Sequence, residues 1–178
     1  MLELANAVSD FAAAFKAIDS SAPQGRFRDR VYRPGIGPLT EEEAVRRAVR
    51  HLQQIRPEVY SSAAPRNYPN DRLKCDLVIQ GEWALEFKRI QPFGDNGKEA
   101  EHWSENILHP YPGSTSSIGD CIKLLMSQFA ERRAVVVFGY EHDPPQINLD
   151  IAVNAFEVIV TQVLGIRLAH GGLANSVG

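Results

Sequence analysis

Three charged side chains, Asp76, Glu86 and Lys88, stand on the stretch Asp76-Leu-Val-Ile-Gln-Gly-Glu-Trp-Ala-Leu-Glu86-Phe-Lys88. It reads as two strands joined at Gln80-Gly81-Glu82, because side chains alternate between the faces of a strand and the apolar residues here alternate too. Leu73, Cys75, Leu77 and Ile79, then Trp83, Leu85 and Phe87, fall on one face. Lys74, Asp76 and Val78, then Ala84, Glu86 and Lys88, fall on the other. With Asp76 opposite Glu86, the two carboxylates would lie about 5 Å apart at Cβ. Like charges at that distance repel unless a cation sits between them, so the spacing suits a shared divalent ion with an ammonium beside it.

An Asp on one strand followed by Glu-x-Lys on the next resembles the PD-(D/E)xK nuclease superfamily, the restriction-endonuclease-like phosphodiesterases. The matching residues are Asp76, Glu86 and Lys88. The first half departs from the family pattern, since Lys74-Cys75 and no proline precede Asp76; Pro69-Asn70-Asp71 is a rival, but it lies before the apolar alternation begins. The resemblance implies metal-dependent hydrolysis of phosphodiester bonds in nucleic acid. DNA is the favoured substrate, with endonuclease action in restriction, defence or repair. Asp76, Glu86 and the Phe87 carbonyl would hold Mg²⁺, for which Mn²⁺ can substitute. Lys88 would orient or activate the attacking water. In this family a Glu on the first core helix often joins the metal site, and Glu42 is the expected one. The alternative is a catalytically inactive nuclease-fold protein that binds nucleic acid or serves as an assembly subunit.

The elements around the hairpin agree with that fold. Leu4, Val8, Phe11 and Phe15 recur at helical spacing, so residues 2–18 read as an amphipathic helix. Thr40-Glu-Glu-Glu43 is a capping box that opens a second helix, with Val45, Ala48, Val49 and Leu52 as its buried stripe, ending before Pro57. Glu58-Val59-Tyr60 begins a short strand candidate. After the hairpin, Gln91 to Ser116 is a long stretch rich in Gly, Pro and His; it is expected to be a substrate-contacting loop with a short helix over 98–107. His102 and His109 lie in it. Ser117-Ile-Gly-Asp120 caps a third helix, which Arg132-Arg133 end, and its N-terminus at Ser117 is a candidate phosphate contact. Ala134-Val-Val-Val-Phe138 reads as a strand covered on both faces. A helix over 148–164 ends at Gly165, and Ile166 to Ala169 is a last strand candidate. Helix, strand, strand, strand, helix, strand is the αβββαβ order of the restriction-endonuclease-like core, a central mixed sheet flanked by helices, with extra N- and C-terminal helices.

One domain is expected for 178 residues of which 44% are apolar, with its core at about 40–140 and accessory helices at 2–18 and 148–164. The net charge of −3 is unevenly spread: residues 26–74 carry eleven Lys/Arg against six Asp/Glu. Arg26, Arg28, Arg30 and Arg33 surround Tyr32, a basic loop with an aromatic that suits a phosphate backbone. Two cysteines without metal-ligand spacing point to reduced thiols and a cytoplasmic setting. No window is apolar enough to span a membrane. The stripe of the first helix suggests a homodimer, since cutting both strands of a duplex usually takes two sites; action beside a larger partner protein is the other arrangement.

Overall fold

The computed structural model describes residues 1–21, 26–27, 30–31, 35–37, 39–69, 71–93, 99–109, 115–139, 146–166 and 168. It begins with α1 (Leu4–Ser21), then the two-residue strands β1 (Arg26–Phe27) and β2 (Arg30–Val31), which pair antiparallel. The helix α2 (Glu41–Ile55) starts where the Thr40 side chain accepts the Glu43 N–H at 3.2 Å. Pro57 then opens α3 (Pro57–Tyr60), its fixed φ suiting a first helical turn. The strand expected at Glu58-Val59-Tyr60 is therefore a helical turn, with Tyr60 buried and its hydroxyl donating to Asp10 Oδ2 at 2.7 Å.

Four strands form the central sheet in the order β3 (Ala64–Asn67), β4 (Lys74–Ile79), β5 (Trp83–Ile90), β6 (Arg132–Gly139). β4 runs antiparallel to both β3 and β5, and β6 runs parallel to β5 from Trp83↔Arg132 to Ile90↔Gly139. The β4–β5 turn closes with Glu82 N–H on Ile79 O at 2.9 Å, and Gly81 supplies its positive φ of 74°. A parallel partner needs a crossover. The crossover carries α4 (Glu105–Leu108) and α5 (Ser117–Met126). Arg132 and Arg133 open β6 rather than close a helix, because α5 already ends at Met126. Helix α6 (Leu149–Val158) runs on into a wider π turn at Ile159–Val163, and Gly165 takes φ 64° beyond it. Ile166 and Leu168 lie outside any strand.

Helices cover both faces of the sheet. On one face Phe11 of α1 and Leu52 of α2 meet Leu77, Ile79, Leu85 and Phe87. The Phe11 and Phe87 rings are 4.9 Å apart, and Phe15 stacks on Phe138 at 4.6 Å. The most buried positions of α1 are Ala7, Phe11, Ala14 and Ile18, a stripe rotated from the expected one because two alanines let the helix sit close. Since Phe11 and Phe15 are engaged within the chain, this stripe no longer argues for a dimer. The other face carries α5, where Leu124 packs with Val78 and Ala84, and α6, where Phe156 packs with Ile90 and Ile118.

One irregularity matters for the site. The β3–β4 register shifts between Ala64↔Val78 and Arg66↔Cys75, so β4 carries an extra residue at Asp76-Leu77. Such a bulge re-aims side chains. Cys75, expected beside Leu77, lies instead in the cluster with Tyr68, Val78 and Leu124. Leu73 is 51% exposed and outside the core.

Candidate active site

The β4–β5 ladder pairs Ile79↔Trp83, Val78↔Ala84 and Leu77↔Leu85. The next step in this register sets Asp76 against Glu86. There β4 leaves its partner, and side chains replace the ladder along the freed edge of β5. Asp76 Oδ2 accepts the Phe87 N–H at 2.8 Å, and Glu41 Oε2 accepts the Arg89 N–H. In a strand the N–H and C=O of one residue point to the same edge. The Phe87 carbonyl thus lies on the edge that carries the Asp76 carboxylate.

The Asp76 and Glu86 carboxyl groups lie within hydrogen-bonding reach of each other, so a proton held by one can be shared with the other. Glu86 is only 2% exposed, beneath α5. Burial, then the Asp76 charge and hydrogen bond, push its carboxyl up to about 8, against the pull of the Tyr68 hydroxyl and Lys123. The Tyr68 hydroxyl donates to Glu86 Oε1. Burial, then the hydrogen bond to Glu86, push that phenol far above its usual range. Cys75 is likewise raised to about 12, by burial first and the Glu86 charge second, so it stays a thiol.

Lys88 reaches two carboxylates, Glu41 Oε1 at 3.5 Å and Asp120 Oδ2 at 3.4 Å. Glu41 and not Glu42 is the α2 acid that joins the cluster: Glu42 is exposed, one helical position round, while Glu41 touches both Lys88 and the β5 edge. Burial raises the Glu41 carboxyl, opposed by Lys88 and the Arg89 N–H.

Helix α5 contributes two residues that the strand motif did not reveal. Asp120 is buried; its Oδ1 lies 2.6 Å from Lys123 Nζ, and its Oδ2 accepts no hydrogen bond. Lys123 also lies 3.8 Å from Glu86 Oε1. Burial raises the Asp120 carboxyl against the pull of both lysines. Burial alone would lower Lys123, but its hydrogen bond to Asp120 and the Glu86 charge outweigh it and raise that ammonium. The sequence signal was Asp-x-x-Lys, a pair three apart on the inward face of a helix that follows the motif strand.

The other expected contacts separate from this cluster. Ser117 is buried, and the α5 N-terminus is already capped by Ser116 Oγ, which accepts the Gly119 N–H at 3.1 Å. A phosphate there would have to displace that cap. Arg26 and Arg30 lie on the β1–β2 ribbon, and Arg28 and Arg33 fall outside the described residues. His102 is exposed and faces Glu105 at 3.1 Å; His109 is half-buried with its carbonyl accepting from Ser116.

The donor set fits a hard cation. Mg²⁺ typically takes one or two carboxylates and keeps several waters. Asp76, Glu86 and the Phe87 carbonyl would supply three oxygens. Among the described residues no group of three or more His, Cys, Asp or Glu side chains is gathered in metal-binding geometry. Among the same residues no helix is long and apolar enough to cross a membrane. Comparisons with protein-family models, curated proteins and solved structures find no match.

Proposed function

We propose that this chain is a metal-dependent nuclease of the PD-(D/E)xK type, hydrolysing phosphodiester bonds of nucleic acid, with DNA the favoured substrate and internal cutting the favoured mode. The observation that carries this reading is the contact of Asp76 with Glu86 where β4 and β5 part. Two carboxylates held together under a helix cost stability unless something positive takes the place of the shared proton. The order α2-β3-β4-β5-α5-β6 around a mixed sheet supports a restriction-endonuclease-like core.

A divalent ion held by Asp76, Glu86 and the Phe87 carbonyl would polarise the phosphate and acidify a bound water. The chain's own residues would do the rest. Lys88, anchored by Glu41 and Asp120, is placed to orient the attacking water and to offset charge growing on the phosphate. The water oxygen would give up a proton to solvent and bond to phosphorus while the bond to the leaving sugar oxygen breaks, and that oxygen would take a proton from solvent. Lys123, whose ammonium is stabilised, supplies a second positive charge beside Glu86. Tyr68 holds Glu86 in orientation.

A second reading, a nuclease fold that binds without cutting, is favoured by one feature. Lys123 and Tyr68 already occupy Glu86 Oε1. One panel separates the two: DNA and RNA substrates with Mg²⁺, Mn²⁺ or chelator, beside Mn²⁺ calorimetry on wild type and Asp76→Ala. Metal-dependent cleavage and metal binding that both vanish in Asp76→Ala are expected. Equal Mn²⁺ affinity in the two proteins would overturn the metal site, and metal binding without cleavage would select the second reading.

A further inference from the structure

Next to the carboxylates, a cavity of about 240 Å³ lies between α2 and the β3–β4 ribbon. Val45, Val49 and Leu77 are among its apolar walls, and three acids, Glu41, Glu42 and Asp76, line it as well. Arg46 and Arg50 line it one and two turns along α2 from Glu42. Gln53 lines it too, its Nε2 donating to Ala63 O at 3.0 Å. The bulge at Asp76-Leu77 gives one surface two neighbours: Leu77 walls the cavity while Asp76 faces both cavity and Glu86.

We propose that this cavity takes one unpaired nucleobase of the strand being cut, so that the substrate is nucleic acid with a single-stranded nucleotide beside the scissile phosphate. The inference rests on the nuclease reading for the position of that phosphate, and on the cavity alone for the base. Its size, below the range of about 300–1,000 Å³ typical of drug-sized pockets, matches one flat ring system and not a helix or a folded peptide. Aliphatic walls welcome a base face in any sequence, whereas a base inside a duplex is stacked on both sides and must first be extruded. Asp76 joins the cavity to the proposed metal site, and of the two arginines that line it Arg46 is held by Glu43, which leaves Arg50 for a flanking phosphate. Arg50 is exposed and makes no ion pair among the described residues, which leaves it available to a phosphate. The Gln53 amide, whose Nε2 is held by Ala63 O, is the type of group whose oxygen accepts from a base edge.

The test uses wild-type protein and 12-nucleotide DNA, single-stranded and duplex, with binding read by anisotropy in Ca²⁺ and cleavage read in Mg²⁺. Single-stranded DNA should bind about tenfold more tightly than duplex. An abasic nucleotide moved along the strand should weaken binding sharply at one position only. Ala64→Phe, from the exposed β3 strand, fills the cavity and should lower single-strand affinity about tenfold without changing duplex affinity. Arg50→Ala should reduce the salt dependence of binding by about one phosphate. Cleavage of both substrates at equal rates, with no sensitive abasic position and no effect of Ala64→Phe, overturns the base site and leaves the nuclease standing. One sensitive position and weakened binding in Ala64→Phe, without cleavage in Mg²⁺, keeps the base site and overturns the nuclease. Absence of binding and cleavage overturns both.

Discussion

The Lys88 ammonium lies 3.4 Å from Asp120 Oδ2, which ties the far end of β5 to the first turn of α5. The same carboxylate holds Lys123 at 2.6 Å through its other oxygen. One buried anion thus fixes two cations at the edge of the carboxylate pair, and its loss would free both.

Asp120→Asn keeps the shape and removes the charge. Breaking one side of a buried ion pair costs about 3 kcal/mol or more. Urea unfolding should show a loss of that order, and single-turnover cleavage should fall with little change in substrate affinity. Unchanged rate and stability would make Asp120 a spectator.

Lys88→Ala distinguishes chemistry from surface pairing. An ordinary exposed ion pair would cost about 1 kcal/mol or less and leave turnover alone. A group that acts in the transition state should cost about a hundredfold in rate, with binding in Ca²⁺ nearly kept. Lys88→Arg should rescue poorly, since the guanidinium is planar and larger. Wild-type rates in Lys88→Ala would remove the catalytic assignment.

The two neighbouring acids of α2 should behave differently. Glu41→Gln loosens Lys88 and the Arg89 N–H together, and a supporting residue of this kind is worth about 10- to 100-fold in activity or metal affinity. Glu42→Gln should stay within experimental error. Steady-state cleavage of the two variants side by side makes the comparison, and the reverse order would return the role to Glu42.

Glu86 gives a pH signature. Its carboxyl titrates at about 8 in the folded chain against 4.5 for an ordinary glutamate. Between these values the folded state holds more protons than the unfolded one, so its contribution is full below about pH 4.5 and is lost as pH rises through about 8. Melting temperature in chelator should fall over that window, and Glu86→Gln should flatten the slope. Tyr68→Phe removes a bond that lowers the Glu86 pKa and should extend the window upward. Divalent metal should oppose the fall, because it binds the ionised form. A wild-type slope identical to that of Glu86→Gln would show that Glu86 titrates normally.

Phe11→Ala removes the ring that meets Phe87, Tyr60 and Phe15. A loss of about 3–5 kcal/mol is expected from denaturant unfolding. A loss below about 1 kcal/mol would mean that α1 is loosely attached to the sheet.

The motif hairpin could be read from sequence because its period was clean and its turn held Gly81. The even-numbered face was legible as a cluster of Asp76, Glu86 and Lys88, but not that α5 covers it, for which only the inward Asp120 and Lys123 give a hint. Cys75 changed faces through a bulge, which leaves no trace in composition. The buried stripe of α2, continued back one heptad, reaches Glu41 and Glu42 alike, and a helix seen alone does not show which of the two meets a strand edge 48 residues away. The first strand of the sheet lies at Ala64–Asn67, later than the expected start at Glu58, because all four of its residues are exposed on a sheet edge and nothing alternates there.

The Leu2 N–H donates to Glu82 Oε2 at 2.7 Å, while the Leu2 carbonyl receives Trp83 Nε1 at 2.8 Å and the Arg132 guanidinium. These contacts span 80, 81 and 130 residues. During synthesis α1 therefore leaves the ribosome long before the strands that receive it, with Phe11 and Phe15 uncovered. Helical contacts form early and distant pairings late. Phe11 can meet Tyr60 and Phe87 once α3 and β5 are made, but Phe15 waits for Phe138, and until β6 emerges that part of α1 is open to chaperones or to a neighbouring nascent chain.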